Sequence, residues 1–122
     1  MKLHASGPSG VNTITGYGEG YVMVNGARRS SSVVVMPDRT EEWPVTRFDD
    51  LRAEDFAFLR DLQAEIVLLG TGARQRFPHP RLTASLAEAG IGLEVMDVQA
   101  ACRTYNILVA EERKVAAALL FE

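Results

Sequence analysis

The second half of the chain carries three short apolar runs, "EIVLLGTG" (65–72), "IGLEVMD" (91–97) and "KVAAALLF" (114–121), with a helical pattern in each interval. The first reads as a buried strand ending in a glycine turn, and the other two as further strands. Strands alternating with helices imply an α/β fold whose sheet contains at least one right-handed parallel crossover. The first interval, "PRLTASLAEAG", opens on Pro80 where a helix tolerates proline, places Leu82 and Leu86 four apart, and stops at Gly90, the usual residue just past a helix end. The second predicts a helix from 98 to about 112, with Asp97 as its N-cap. A further helix is predicted over 53–62, with Glu54 and Asp55 in its first turn and Phe56, Leu59 and Leu62 near one face.

The first third is punctuated by glycine and proline. Asn25-Gly26 sits between "YVMV" and "ARRSSSVVVM", and both residues tolerate the positive φ that a type I′ turn requires, so a hairpin is predicted there. The continuous "VVV" at 33–35 suggests that the second hairpin strand runs on into the buried centre of a sheet until Pro37 ends it. "PDRTEEWPVTRFDD" reads as a loop holding Trp43 and Pro44.

Composition narrows the function classes. With 122 residues, no internal repeat and no dividing linker, one domain over 1–122 is expected. The net charge of −3 leaves no general basic field, which argues against nucleic acid. No apolar run approaches the roughly 20 residues of a membrane span. Cys102 is the sole cysteine and His4 and His79 the only histidines, so neither a disulfide nor a metal site is expected, and no cofactor. "MKLHASGPSGVN" matches neither a secretory signal nor a transit peptide, so the expected location is cytoplasmic.

Two stretches could carry chemistry. Gly70-Thr71-Gly72 ends a buried strand where open α/β sheets bind ligands, although neither nucleotide-binding glycine motif is present. The structural reading of the turn is that Gly70 and Gly72 allow a tight exit and close packing, and the cluster Arg74, Arg76 and Arg81 reads either as a solvated loop or as cations that attract an anion to the mouth of the turn. The other stretch is "ACRTYN". At 3.6 residues per turn Val98, Ala101, Cys102, Tyr105, Leu108 and Val109 share an apolar stripe, so Cys102 and Tyr105 are expected to face the core. Gln99, Arg103 and Asn106 are expected on the opposite side, where Arg103 and Asn106 would together hold a carboxylate, a phosphate or a partner's backbone. Trp43 reads as a lid over the core or an anchor for a partner, and Thr104 joins Cys102 and Tyr105 as a structural or contact residue. No nucleophile–base pair or convergent carboxylate pair emerges, so no catalytic residue is assigned.

"GYGEGYVMVNG", "SVVVMPDRTEEWPV", "IVLLGTG", "LEVMD" and "AACRTYNILVAEERKVAAAL" together, and in this order, resemble the Mth938-like domain family, a domain of unknown function. The resemblance covers nearly the whole chain. It implies a three-layer β+α/β/α fold around a central mixed sheet with an N-terminal β-hairpin. Eukaryotic relatives of that family include a mitochondrial assembly factor for respiratory complex I. The favoured expectation is therefore a non-enzymatic module that binds a protein partner. The alternative is a binder of a small anion, with or without turnover, between Gly70, Thr71, Gly72 and the Arg103/Asn106 face. A third reading makes "RTYN" a structural knot, in which case Arg103→Ala lowers stability by a few kcal/mol.

Overall fold

The computed structural model describes residues 10–122. The chain runs through β1 (Ile14–Gly18), β2 (Tyr21–Val24), β3 (Ala27–Arg29), β4 (Val33–Val35), β5 (Thr40–Glu42), α1 (Ala53–Asp61), β6 (Ile66–Thr71), α2 (Pro80–Glu88), β7 (Gly92–Met96), α3 (Val98–Ala110) and β8 (Val115–Leu120). The stretch before Gly10, with His4 and the start of the N-terminal segment, lies outside the described residues.

Five strands form a mixed sheet in the order β5-β4-β8-β6-β7. At its centre β8 pairs antiparallel with β4 and parallel with β6, and all six of its residues are buried. Alternate side chains explain why "VAAALL" has no polar member. Val115, Ala117 and Leu119 face one hydrophobic cluster, while Ala116, Ala118 and Leu120 face the other. β4 and β6 divide their residues in the same way, with Val35 and Leu68 in the first cluster and Val34, Val67 and Leu69 in the second. Along β4, β6 and β8 both faces are therefore buried, as expected for "VVV" and "EIVLLGTG", whereas "IGLEVMD" forms the edge strand β7, none of whose residues is buried.

The parallel pairs β6–β7 and β6–β8 require two crossovers. The chain steps from β6 outward to β7 and then back past β6 to β8, so crossovers of one hand must place their helices on opposite faces. That is the arrangement found. Leu86 of α2 packs into the second cluster beside Phe56 and Leu59 of α1, whereas Ala101, Cys102, Tyr105 and Val109 of α3 pack into the first. A separate antiparallel sheet, β1-β2-β3, adds Ile14, Tyr17, Val22 and Val24 to the first cluster. The layers are thus the small sheet with α3, the five-stranded sheet, and α1 with α2, which is the expected β+α/β/α architecture.

The hairpin turns at Asn25 (φ 50°) and Gly26 (φ 82°), and the Asn25 side chain also accepts from the Thr13 N–H at 3.0 Å. The strand after it departs from the sequence reading. "ARR" ends the hairpin as the exposed strand β3, and "VVV" is a different strand in the other sheet. The reason is coverage: a run buried on both faces needs neighbours on two sides, and the middle layer supplies them. Two strands arise that the sequence reading did not assign, one of them inside the expected loop "PDRTEEWPVTRFDD". β1 forms from "ITGYG", and β5 forms from "TEE" as an edge strand held through backbone bonds to β4.

Leu119 is fully buried between α3 and the sheet. Leu119→Ala should lower the unfolding free energy by about 2–5 kcal/mol, the range for emptying a core leucine site. Glu42→Ala at the exposed edge should change it by less than about 0.5 kcal/mol. Urea unfolding followed by circular dichroism measures both.

Candidate functional site

Helix α3 begins at Asp97, whose Oδ1 accepts the Ala100 N–H at 2.9 Å, as expected of its N-cap. From there one stripe, Ala101, Cys102, Tyr105 and Val109, turns inward. Arg103, Tyr105 and Asn106 of "ACRTYN" bond to β1 and to the residues just before it. Asn106 accepts the Ile14 N–H at 2.9 Å through Oδ1 and donates to the Ile14 carbonyl at 2.7 Å through Nδ2. Its amide thereby stands in for a neighbouring strand, satisfying both backbone groups of one β1 residue. The Tyr105 hydroxyl donates to the Asn12 carbonyl at 2.9 Å, and Arg103 donates to the Tyr17 hydroxyl at 3.1 Å. Thr104 is only partly buried.

Burial governs the two titratable groups on the stripe. Desolvation pushes the Cys102 thiol from 9.0 up to about 12, opposed by the nearby Arg103 charge and reinforced by Asp97. Desolvation, with the Asp38 carboxylate adding to it, also raises Tyr105 above the ordinary tyrosine range. At neutral pH Cys102 is a protonated thiol with no exposed surface, which suits a packing residue.

The Gly-Thr-Gly turn is likewise committed to the fold. The Thr71 hydroxyl donates to the Arg74 carbonyl at 2.7 Å and accepts the Arg76 N–H at 3.0 Å. Gly72 has φ +85°, and a Cβ there would strike the Glu122 carbonyl. That same carbonyl accepts the Ala73 N–H at 3.2 Å, while the Gly72 carbonyl accepts the Val98 N–H at 2.8 Å. Gly70 lets α3 approach closely, because a Cβ would sit 3.1 Å from the Ala101 Cβ and 3.2 Å from the Val98 Cα.

These positions tell against the alternative of an anion site. Both polar atoms of Asn106 are bonded to Ile14 and are not free to grip a ligand with Arg103. The cleft beside Gly72 is walled by Gly18, Gly20 and Val98 with the acids Glu19, Asp97 and Glu122, and among the described residues no cationic side chain lines it, although Arg47 and Arg76 pair with Glu122. Arg76, expected at the mouth, instead binds Asp49 at 2.8 Å and Glu122 at 3.2 Å and lies over the Phe48 ring at 4.3 Å. Trp43 is buried, packed edge-on against Phe56, and so acts as the lid. Among the described residues its indole N–H has no hydrogen-bond partner.

One role was missed in the sequence. His79 caps α2, its Nδ1 accepting the Arg81 N–H at 3.1 Å. Histidine is not among the favoured N-caps, and only its place immediately before Pro80 signalled the role. No group of three or more His, Cys, Asp or Glu suited to a metal occurs among the described residues, and no described helix is long and apolar enough to cross a membrane.

Fold and site together define a small three-layer α/β protein whose functional-looking side chains tie a β-hairpin layer to a mixed sheet. The chain belongs to the family described as protein of unknown function DUF498/DUF598, whose model matches residues 14–120. A crystal structure from Bordetella parapertussis is similar with a TM-score of 0.88 at 42% identity, covering 94% of this chain and all of that one. A solution structure of a Bordetella pertussis protein, described as an Mth938-like domain, gives 0.80 at 36% identity over 99% and 92%. Among curated relatives, NADH dehydrogenase [ubiquinone] 1 alpha subcomplex assembly factor 3 of Danio rerio is 35% identical over 80% of this chain and 57% of its own length. An uncharacterised protein of Rhodobacter capsulatus is 35% identical over 98% and 93%. The chain thus spans little more than half of the assembly-factor relatives it matches.

Two outcomes follow from the α3 tie. Asn106→Ala should cost about 1–3 kcal/mol, because it strands both backbone groups of Ile14. Arg103→Ala should cost less than about 1 kcal/mol, because it removes one bond at an exposed side chain. Denaturant midpoints separate the two, and the larger loss moves from Arg103, where the knot reading put it, to Asn106. Alkali provides the second outcome. A thiol whose folded pKa is raised favours the fold fully below its unfolded value, and that contribution fades as pH climbs from 9.0 towards about 12. Stability should therefore fall across this window, and Cys102→Ala should flatten the fall in urea midpoints measured against pH.

Proposed function

We propose that this chain is a cytoplasmic, non-enzymatic assembly-factor-like module that holds a protein partner while a larger complex is put together. The observation that carries the reading is the inward commitment of "ACRTYN". Side chains that would serve a catalytic or ligand site are bonded instead to Asn12, Ile14 and Tyr17. What remains for function is the outer surface of a tied scaffold, and a scaffold of this kind suits protein contact. The curated relatives named as assembly factors for NADH dehydrogenase support the same reading and make subunits of that enzyme the first partners to examine.

The test is deletion of the gene in its own cells together with crosslinked affinity capture of the tagged full chain. NADH dehydrogenase subunits should be enriched in the capture, and the deleted cells should accumulate partly assembled enzyme on native gels. Parental levels of assembled enzyme, with no subunit enriched, would overturn the proposal.

A further inference from the structure

The described residues leave two large apolar side chains mostly in water, Phe77 at 71% and Ile107 at 59% exposure. Phe77 stands on the segment between β6 and α2, and that segment is held at several points. The Thr71 hydroxyl bonds to Arg74 and Arg76, Gln75 donates to the Val95 carbonyl of the edge strand β7 at 2.8 Å, and Arg76 is anchored on Asp49, Glu122 and Phe48. Pro78 and Pro80 further restrict the backbone around the phenylalanine. A ring displayed on a tied loop loses little conformational freedom when it is buried by a partner, which is the condition for an aromatic binding anchor.

Charge indicates what would cover it. The chain as a whole is acidic, with a net charge of −3. Yet Arg74 and Arg81, three residues before Phe77 and four after it in the sequence, are exposed, and among the described residues neither guanidinium is drawn into an ion pair. An exposed apolar ring with two available guanidinium groups on the same short segment complements an apolar socket rimmed by Asp and Glu. We propose that the Phe77 loop, with Arg74 and Arg81, is the docking surface for an acidic segment of a partner protein. The proposal rests on the assembly-module reading and adds to it the contact surface and the partner's chemistry.

The experiment places a photo-crosslinking phenylalanine analogue at position 77 of the full chain in its native cells and identifies the attached peptide by mass spectrometry. The peptide so found is then synthesised and its affinity measured for the parent chain, Phe77→Ser and the charge reversal Arg74→Glu/Arg81→Glu, each checked for folding by circular dichroism. The expected peptide is apolar at the crosslink and rich in Asp and Glu around it. Phe77→Ser should weaken it by at least about tenfold, and charge reversal should weaken it and remove its salt dependence. Crosslinks to RNA or to a second copy of this chain would overturn the proposal, as would a peptide bound equally by all three proteins. If crosslinked capture of the parent chain still enriches a partner while position 77 attaches to nothing, the surface is wrong and the assembly reading stands. If no partner is enriched by either route, both fall.

Discussion

The pair of hydrogen bonds between the Asn106 amide and the two backbone groups of Ile14 joins the hairpin layer to the rest of the molecule. β1 is an edge strand, paired with β2 on one side only, and its other side would present unmet donors and acceptors. A helix cannot continue a sheet through its own backbone, because its peptide groups are engaged along the helix axis. A carboxamide offers one donor and one acceptor, so a single Asn on the helix flank meets one strand residue at both groups. Tyr105 extends the attachment to Asn12 and Arg103 extends it to Tyr17. The apolar stripe of α3 is thereby pressed between two sheets, and the first hydrophobic cluster closes around Cys102 and Tyr105.

This explains why the polar run in α3 looked like a site. Five functional side chains in sequence suggest chemistry because a helix packed on one sheet needs only its apolar face. α3 serves two sheets, and the second is reached through polar groups. From the sequence alone the stripe and the N-cap were legible, since both depend on local spacing and residue type. The destination of Asn106 was not, because its partner lies 92 residues earlier and nothing in the α3 pattern encodes β1. The same distinction runs through the fold. Turns set by backbone preference, at Asn25-Gly26 and Gly90, and strands set by two-sided burial, such as β6 and β8, were readable. β5 was not, because "TEE" gains its strand geometry from β4 rather than from its own side chains.

For function, the consequence is a division of labour between inside and outside. Residues that resemble catalytic equipment hold the layers in register, and the Gly-Thr-Gly turn brings α3 and Glu122 close to the end of β6. The Arg76 network fastens the following loop to the short turn at Phe48–Asp50. Rigidity at both places is compatible with a protein that acts by presenting a fixed surface. It also fits a family in which curated relatives carry the name of assembly factors.

The centre of the five-stranded sheet is β8, the element furthest along the chain. During synthesis β4 and β6 therefore leave the ribosome long before the strand that separates them, and until it arrives each lacks its principal neighbour. Neither hydrophobic cluster can close without Val115 to Leu120, since β8 contributes alternately to both. The hairpin and the helices can form as local structure on the nascent chain, but consolidation waits for the last strand to insert between two already made. A chain that stalls shortly before β8 would expose two apolar strands with open edges, the kind of surface that chaperones bind and that aggregates when they do not.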